Sequence, residues 1–385
     1  MTAPSARPLA TAVALAIAAS SGLAQQVFVV RSSGGPGVFS TEIQPAVDAA
    51  SDGDIVFVQD GFYSSFTIDG KGLLVISDVF TKGPMNGTIR IQNLSSTQTV
   101  VVDRVFVNAS PADATPALVL SNVAGPAWFR NSVFVGNDFS DAATGKPGAI
   151  VTNCASVTFE ACGFDGAEGK GAPNASPGAN GLSVTGSNVF LHDSSCSGGA
   201  GHSTQGAAAP TPGGIGLAAS QSTVYASGTQ LFGGIGGSAT GLGIAGAAGG
   251  DALQTGGATE LLDGALTPGA GGASSSGSHG APGSRTTGAG PLTLLSGIAR
   301  HFQIQSPVRE QQPFDVFADG IPGENVGLLL SPSFDAGVFL APFDGPILLS
   351  LASADALFLG TVPPSGRLFQ VFFAGSLPPS MFGAT

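Results

Sequence analysis

Five short β-rich runs in this chain lie over one another without gaps, and nothing else in it restricts the possible fold as tightly. Leu73–Phe80 aligns with Thr99–Phe106, Ala127–Phe134, Val157–Phe164 and Val189–Cys196, so that Phe80, Phe106, Phe134, Phe164 and Cys196 become equivalent at separations of 26, 28, 30 and 32 residues. Further copies fall at Thr223–Gln230 and, more weakly, at Thr259–Leu266. A second strand series precedes the first, with Ile89 and Ile91, Leu118 and Leu120, Ile150 and Thr152, Leu182 and Val184, and Ile215 and Leu217 in its apolar places. Two or three such strands cannot bury their apolar face alone. Stacked on neighbours they share a continuous core, and equivalent strands line up as parallel sheets. The spacing therefore predicts a parallel β-helix over residues 25–270. The growth in period is confined to Gly136–Gly148, Asp165–Asn180, Ser197–Gly213 and Phe232–Gly250. Their Gly, Ala, Ser and Pro content reads as loops on one side of the stack, either flexible decoration or a binding surface.

Composition narrows the class. The chain has 59 Gly and 26 Pro in 385 residues, yet hydrophobic residues make up 43% and charged residues only 10%, which excludes charge-driven disorder for most of it. Glycine shows no three-residue period along the chain, which excludes collagen. Thirteen Lys+Arg against 25 Asp+Glu leave a net charge of −12 without a basic run, which argues against nucleic acid or an anionic membrane as partner. Arg7, the apolar stretch Leu9–Ala19 and the small residues up to Ala24 read as a signal peptide over residues 1–24, with a retained anchor as the alternative. No other run approaches the roughly 20 apolar residues of a spanning helix. Export permits disulfides, but Cys154, Cys162 and Cys196 are odd in number and form no CxxC, so neither a disulfide framework nor a thiolate zinc site is expected. Residues 271–290 read as a Gly/Ser-rich linker. Residues 291–385 alternate apolar runs such as Phe314–Phe317, Val326–Leu330 and Phe369–Phe373 with Pro, Gly and Asp turns, the pattern of a small C-terminal β-sandwich.

The segment Thr41-Glu42-Ile43-Gln44-Pro45-Ala46-Val47-Asp48-Ala49-Ala50, followed by Ser51-Asp52-Gly53-Asp54-Ile55-Val56-Phe57-Val58 and Asp60-Gly61-Phe62-Tyr63, resembles the start of right-handed parallel β-helix proteins of the pectin-lyase-like superfamily. Phe66–Leu73 looks like their first full turn. With the repeats, the resemblance covers about residues 27–270. It implies an all-β fold, a right-handed parallel β-helix opened by a short capping helix. Ile43, Val47 and Ala50 share a helix face suited to plug the end of the stack, with Thr41 as N-cap. This architecture hosts enzymes, adhesins and phage spikes alike, so activity has to be read from the residues. The acidic motifs of polygalacturonase-like hydrolases are missing: there is no Asp-Asp pair, Gly201-His202 is the one Gly-His, and Arg90-Ile91-Gln92 replaces Arg-Ile-Lys.

Equivalent residues on adjacent turns lie about 4.8 Å apart. In the main strand Val101, Phe129, Phe159, Leu191 and Tyr225 are expected to point inward and Val102, Arg130, Glu160, His192 and Ala226 outward. Arg130, Glu160 and His192 then stand consecutively on an exposed sheet face. Functionally this is a catalytic acid/base or sugar-acid-binding strip; structurally it is a surface charge ladder worth about 0–1 kcal/mol per pair. Asp103 and Asp193 fall three turns apart in the next column, roughly 14 Å, too far for a glycosidase pair at roughly 5–9.5 Å. Asp138, Asp141, Asp165 and Glu168, beside Lys146 and Lys170, either rim a groove or solubilise the loops. No cofactor or metal site is expected, since Arg130 with Glu160 is short of the oxygens a hard cation needs. With 25 Phe against 2 Tyr and 1 Trp, the aromatics read as core ladders rather than as sugar-stacking platforms. The expectation is an exported or cell-envelope structural, adhesive or glycan-contacting protein, its partner an extracellular polysaccharide or cell-surface component. The alternative is a polysaccharide lyase or glycoside hydrolase using the strip. If residues 1–24 are a signal peptide, N-terminal sequencing of the exported protein will begin at Gln25; a protein starting at Met1 or Thr2 would identify a retained segment.

Overall fold

A computed structural model describes residues 26–78, 85–110, 115–136, 145–171, 175–205, 207–297, 299–304, 311–330, 334–339, 346–349 and 355–373. The proposed signal peptide and the loop acids Asp138 and Asp141 lie outside these residues.

Residues 27–295 form a parallel β-solenoid of about eight turns with three sheets. The ten-stranded sheet stacks Val27–Val30, Ile55–Val58, Leu74–Ser77, Val100–Asp103, Pro126–Arg130, Ser156–Glu160, Asn188–His192, Thr223–Ser227, Thr259–Leu262 and Leu292–Leu295 in chain order. The eight-stranded sheet runs from Phe66–Asp69 to Thr286–Gly288, and the seven-stranded sheet from Met85–Asn86 to Ala265–Thr267. Inside, Val75, Val102, Phe129, Phe159, Leu191 and Ala226 form one fully or nearly fully buried column. The largest rings cluster where two sheets meet: Phe129 lies 5.1 Å from Phe159, and Phe134 5.5 Å from Phe164, with Phe159 edge-on to Phe164 at 4.8 Å.

The register corrects the repeat alignment by one residue in several strands. Val102, not Val101, faces Phe129, and Ala226, not Tyr225, faces Leu191. Phe134 pairs with Val107 rather than Phe106, and Ala149 with Val151, not Ile150 with Thr152, point inward. The reason is that a run such as Val100-Val101-Val102 is apolar on both faces, so alternation cannot fix its phase, and a slip of one residue exchanges the faces. Along the inward series Met85, Val107, Phe134, Phe164, Cys196, Leu231 and Leu266 the turn grows from 22 to 35 residues.

At each of two corners, six successive rungs turn sharply on single residues with positive φ. One row is Arg104, Asn131, Ala161, Asp193, Gly228 and Asp263; the other is Gly70, Asn93, Asn122, Asn153, Gly186 and Gln221. Asn, Asp and Gly tolerate this conformation, which explains their recurrence. Two residues after the strand end, a small polar side chain folds back on the strand's last carbonyl: Ser132 on Arg130, Cys162 on Glu160, Ser194 on His192, Thr229 on Ser227. The same oxygen accepts an N–H from the preceding turn, as Ser194 Oγ does from Cys162 at 3.1 Å. Cys154, Ser187 and Ser222 repeat the device at the other corner. Cys154 and Cys162 thus occupy serine-like positions, and all three cysteines are free and buried.

At the N-terminal end the helix Ile43–Ala49 buries Ile43, Ala46 and Val47 against the first strands. Glu42 rather than Thr41 is its N-cap residue, without a side-chain capping bond. Its C-terminal carbonyls are sealed by Lys71 Nζ, which donates to Val47, Asp48 and Ala50 at 2.9–3.0 Å.

The glycine-rich segments are built into the stack. Each later rung leaves the seven-stranded sheet on one arm and returns on another, as in 197–205 and 210–216, or 232–239 and 246–252. Every third residue donates to the matching arm of the next turn: Gly198 and Gly201 to Phe232 and Ile235, Gly233 and Gly236 to Thr267 and Ala270. Alternate arms are cross-linked by Gly214 to Gly199, Gly234 to Gly214, Gly250 to Gly234 and Gly269 to Gly250, at 2.7–2.9 Å. The arms form no sheet strands, and a three-residue repeat bonded only to neighbours is the signature of polyproline-II-type helices packed side by side. A Cβ on Gly250 would sit 1.8 Å from the Gly214 oxygen, and one on Gly234 2.0 Å from that of Gly199. The stretch expected to be a linker differs in the same way. It carries the last pair of arms and leads into Thr286–Gly288 and Leu292–Leu295, which pair in register with Leu253–Gly256 and Thr259–Leu262.

Past Leu295 the described strands are antiparallel: His301–Ile304, Pro313–Asp319 and Arg367–Phe373 in one sheet, Asn325–Leu330 with Asp355–Thr361, and Phe334–Phe339 with Pro346–Leu349. The backbone of Phe334–Phe339 lies against Pro126–Arg130 of the solenoid.

Replacing Gly234 or Gly250 by Ala is expected to cost about 3 kcal/mol or more, because the clash is with backbone. The same change at Gly243, with φ +74° and open space around it, should cost about 1 kcal/mol. Thermal unfolding midpoints of the three variants test the contrast.

Candidate functional site

The strip is built at the first corner. Arg130, Glu160 and His192 are each the last residue of a strand, held in register by Phe129, Phe159 and Leu191 buried just before them. The structure brings the three together on consecutive rungs, as expected, and extends the row to Asp103 on one side and Ser227 on the other in place of Val102 and Ala226. Their environment differs from the expected open face. All three are half-buried rather than exposed. The adjacent outward column is Leu74, Val101, Trp128, Thr158, Phe190 and Tyr225. Val101 is 7% accessible, Thr158 4%, Phe190 6% and Tyr225 3%, which solvent-facing side chains would not be. The middle of the ten-stranded sheet, from Val101 to Tyr225, is therefore covered on both faces.

Within this seam Asp103 gathers the cations. The Asp103 carboxylate accepts from Arg104 Nε and Arg130 Nη2, both at 3.3 Å, and from Asn131 Nδ2 at 3.2 Å. The Arg130 guanidinium carbon also sits 5.9 Å from the centre of the Trp128 ring. One rung on, burial pushes the Glu160 carboxyl above the usual range; Arg130 opposes the shift, and Asp193 and Asp103 reinforce it. Burial likewise holds His192 below its usual value, partly offset by Asp193. His192 Nδ1 lies 2.8 Å from Ser227 Oγ, and its ring 6.1 Å from that of Tyr225. A carboxyl that gains a proton easily beside an imidazole that resists one can exchange protons in principle. Arg130 and His192 are held by Asp103 and Ser227, while the Arg130 Nε is buried without a hydrogen bond among the described residues, so the row is a buried polar network that is only partly satisfied.

The other candidates separate. Asp193 stands at the corner with Asn131 and Ala161, one position past the column that holds Asp103, so the two carboxylates are not in one row. Asp165 and Glu168 are exposed and Lys146 and Lys170 half-buried, in and beside the arms. Although Asp165 is exposed, desolvation by the surrounding arms raises its carboxyl, with Ser197 opposing. The thiol of Cys162 is pushed up to about 12 and that of Cys196 higher still, which makes neither a nucleophile. Among the described residues no three His, Cys, Asp or Glu side chains converge where a metal ion could be held. A cavity of about 600 Å³ opens between Asp263 and Ala299 on the solenoid side and Asp319, Gly320 and Ser365–Arg367 opposite. Its acids are already engaged, Asp263 with the Ala299 N–H at 3.0 Å and Asp319 with Arg367 at 2.6 and 2.7 Å.

Two features escaped the sequence reading. Asp103 was assigned to the wrong column by the one-residue slip, and the apolar stripe next to the strip was hidden by the same slip. The arms were the other, although Gly198-Gly199-Ala200-Gly201 and Gly233-Gly234-Ile235-Gly236-Gly237 carry their period in plain view. No known family model matches the chain, and no curated protein is similar to it in sequence.

Because the His192 value is depressed on folding, the unfolded chain takes up that proton first on acidification. Stability from His192 is present above about pH 6.5 and is lost as pH falls below it. Denaturation midpoints measured across this window should decline in the wild type, and His192→Gln should flatten that part of the profile. An unchanged slope would show that the imidazole is not buried in the seam.

Proposed function

We propose that the protein is an exported structural element of the cell surface or its surroundings, adhesive or glycan-contacting, rather than an enzyme. In this reading the solenoid is a right-handed helix of the pectin-lyase-like kind, and the antiparallel strands after Leu295 close as a small sandwich over its ten-stranded sheet. The observation that carries it is the commitment of Arg130, Glu160 and His192 to a covered seam, with Arg130 tied to Asp103 and His192 to Ser227. What the solenoid leaves to solvent is the outer face of two parallel sheets and the arms, where few charges and many small polar groups repeat at the turn spacing of about 4.8 Å. Regular rows of this kind suit a regular polymer, and a polysaccharide is the extracellular polymer that small hydroxyl and backbone groups recognise.

The second reading, a polysaccharide lyase or glycoside hydrolase, draws on one observation, the raised Glu160 carboxyl next to Arg130. It requires the covering strands to move aside. Incubating the protein with anionic and neutral polysaccharides, and measuring retention, reducing-end release and absorbance of unsaturated products, separates the two. Retention without products is expected. Products that disappear in Glu160→Gln would establish the enzyme, and neither retention nor products would remove the glycan from the proposal.

A further inference from the structure

The two ends of the solenoid are finished differently. At the N-terminal end the helix Ile43–Ala49 lies on the first strands and is itself sealed by Lys71. At the other end the core simply stops. Leu294 pairs with Leu261, which is 4% accessible and continues the column of Phe129, Phe159, Leu191 and Ala226, yet Leu294 is 68% exposed. Leu266 and Leu292, which stack on the buried Leu231 and Thr259, are only partly covered. The final strands Ala265–Thr267, Thr286–Gly288 and Leu292–Leu295 each stand at the edge of their sheet. Among the described residues that follow Leu295, Ala299 turns back along the stack, its N–H donating to Asp263 on the corner of the previous strand. An edge strand with an apolar neighbour is a template for another chain.

What fits there is decided by shape and charge. The last rung, about 30 residues from Ala265 to Leu295, carries Arg285 as its one charge. It is as large as one side of a standard interface, which uses about 20–30 residues. A neighbour stacked head to tail would meet it with a helix-capped N-terminal rung that has no arms and a turn of 28 residues against 33. Continuation of the arm lattice is also weakened. Pro268 and Pro282 sit where Gly233 and Gly249 donate to the following turn, and proline has no N–H to give. The surface in this molecule with the same outline, including the arms, is another copy of this last rung.

We propose that two copies of this chain associate tail to tail about a two-fold axis, through the terminal rung Ala265–Leu295. Leu292–Leu295 of each copy pairs antiparallel with its counterpart, and the two Leu294 side chains complete one core. The contact is isologous and closes at the dimer.

Sedimentation equilibrium of the exported protein over a range of concentrations should give a monomer–dimer equilibrium. Leu294→Arg should weaken it at least tenfold, about 1.4 kcal/mol, by placing a charge in the shared core. Because Leu294 is exposed in one copy, the circular dichroism spectrum of the variant should match that of the wild type. A second variant, Thr293→Cys, should form an intermolecular disulfide on mild oxidation. A wild type that stays monomeric, a dimer indifferent to Leu294→Arg, or growth beyond the dimer would each overturn the proposal. The indifferent dimer would direct attention to the exposed face at Phe369, Val371 and Phe373.

Discussion

The bond between one turn and the next holds this molecule together, and the corners make it possible. A parallel ladder forms only if every rung bends at the same two places, so that strand ends and strand starts coincide from turn to turn. That condition is met by single residues at positive φ, followed by a hydroxyl or thiol that caps the carbonyl behind it and receives an N–H from the rung before. The corner polar atoms would otherwise be buried without partners, at a cost of about 1–3 kcal/mol each. Ser132, Cys162, Ser194 and Thr229 fold back on that carbonyl on four successive rungs, so the Cys162 thiol serves there in place of a hydroxyl.

The same constraint shapes the seam. Strand-end positions in the outward column are held as strictly as those inside, so Asp103, Arg130, Glu160 and His192 are lined up whether or not chemistry needs them. Their surroundings then decide their character. Next to Trp128, Phe190 and Tyr225, and under the strand Phe334–Phe339, a charge ladder that would contribute little on an open surface becomes a polar row inside an apolar contact. A buried pair such as Asp103 with Arg130 gives position rather than large net stability, since desolvation offsets much of the attraction.

Much of the fold was legible because repetition is visible wherever an inward residue has a polar neighbour. Phe129-Arg130, Phe159-Glu160 and Leu191-His192 announce both faces, and their mutual register was read correctly. Where both neighbours are apolar, as at Val101, Ile150 and Tyr225, the phase was lost, and with it Asp103 and the covered stripe. The covering itself is a contact between segments far apart in the chain, and no local pattern encodes it. The arms were missed for a different reason. Their triplets last only two or three repeats before a turn, so a count along the whole chain averages them away. Their meaning lies in the neighbouring arm rather than in the one being read.

That lattice bears on how the molecule wears. A glycine-rich segment on a surface is ordinarily the first place a protease cuts, because it can be drawn out into an extended strand in the enzyme's cleft. Here such withdrawal would break bonds to the arms on either side at every third residue, through Gly199, Gly214, Gly234, Gly250 and their neighbours. The composition that would mark the chain as soft is instead its protection. Cleavage is left to the tips, around Leu242 and Gly243, where a nick leaves both arms bonded in place.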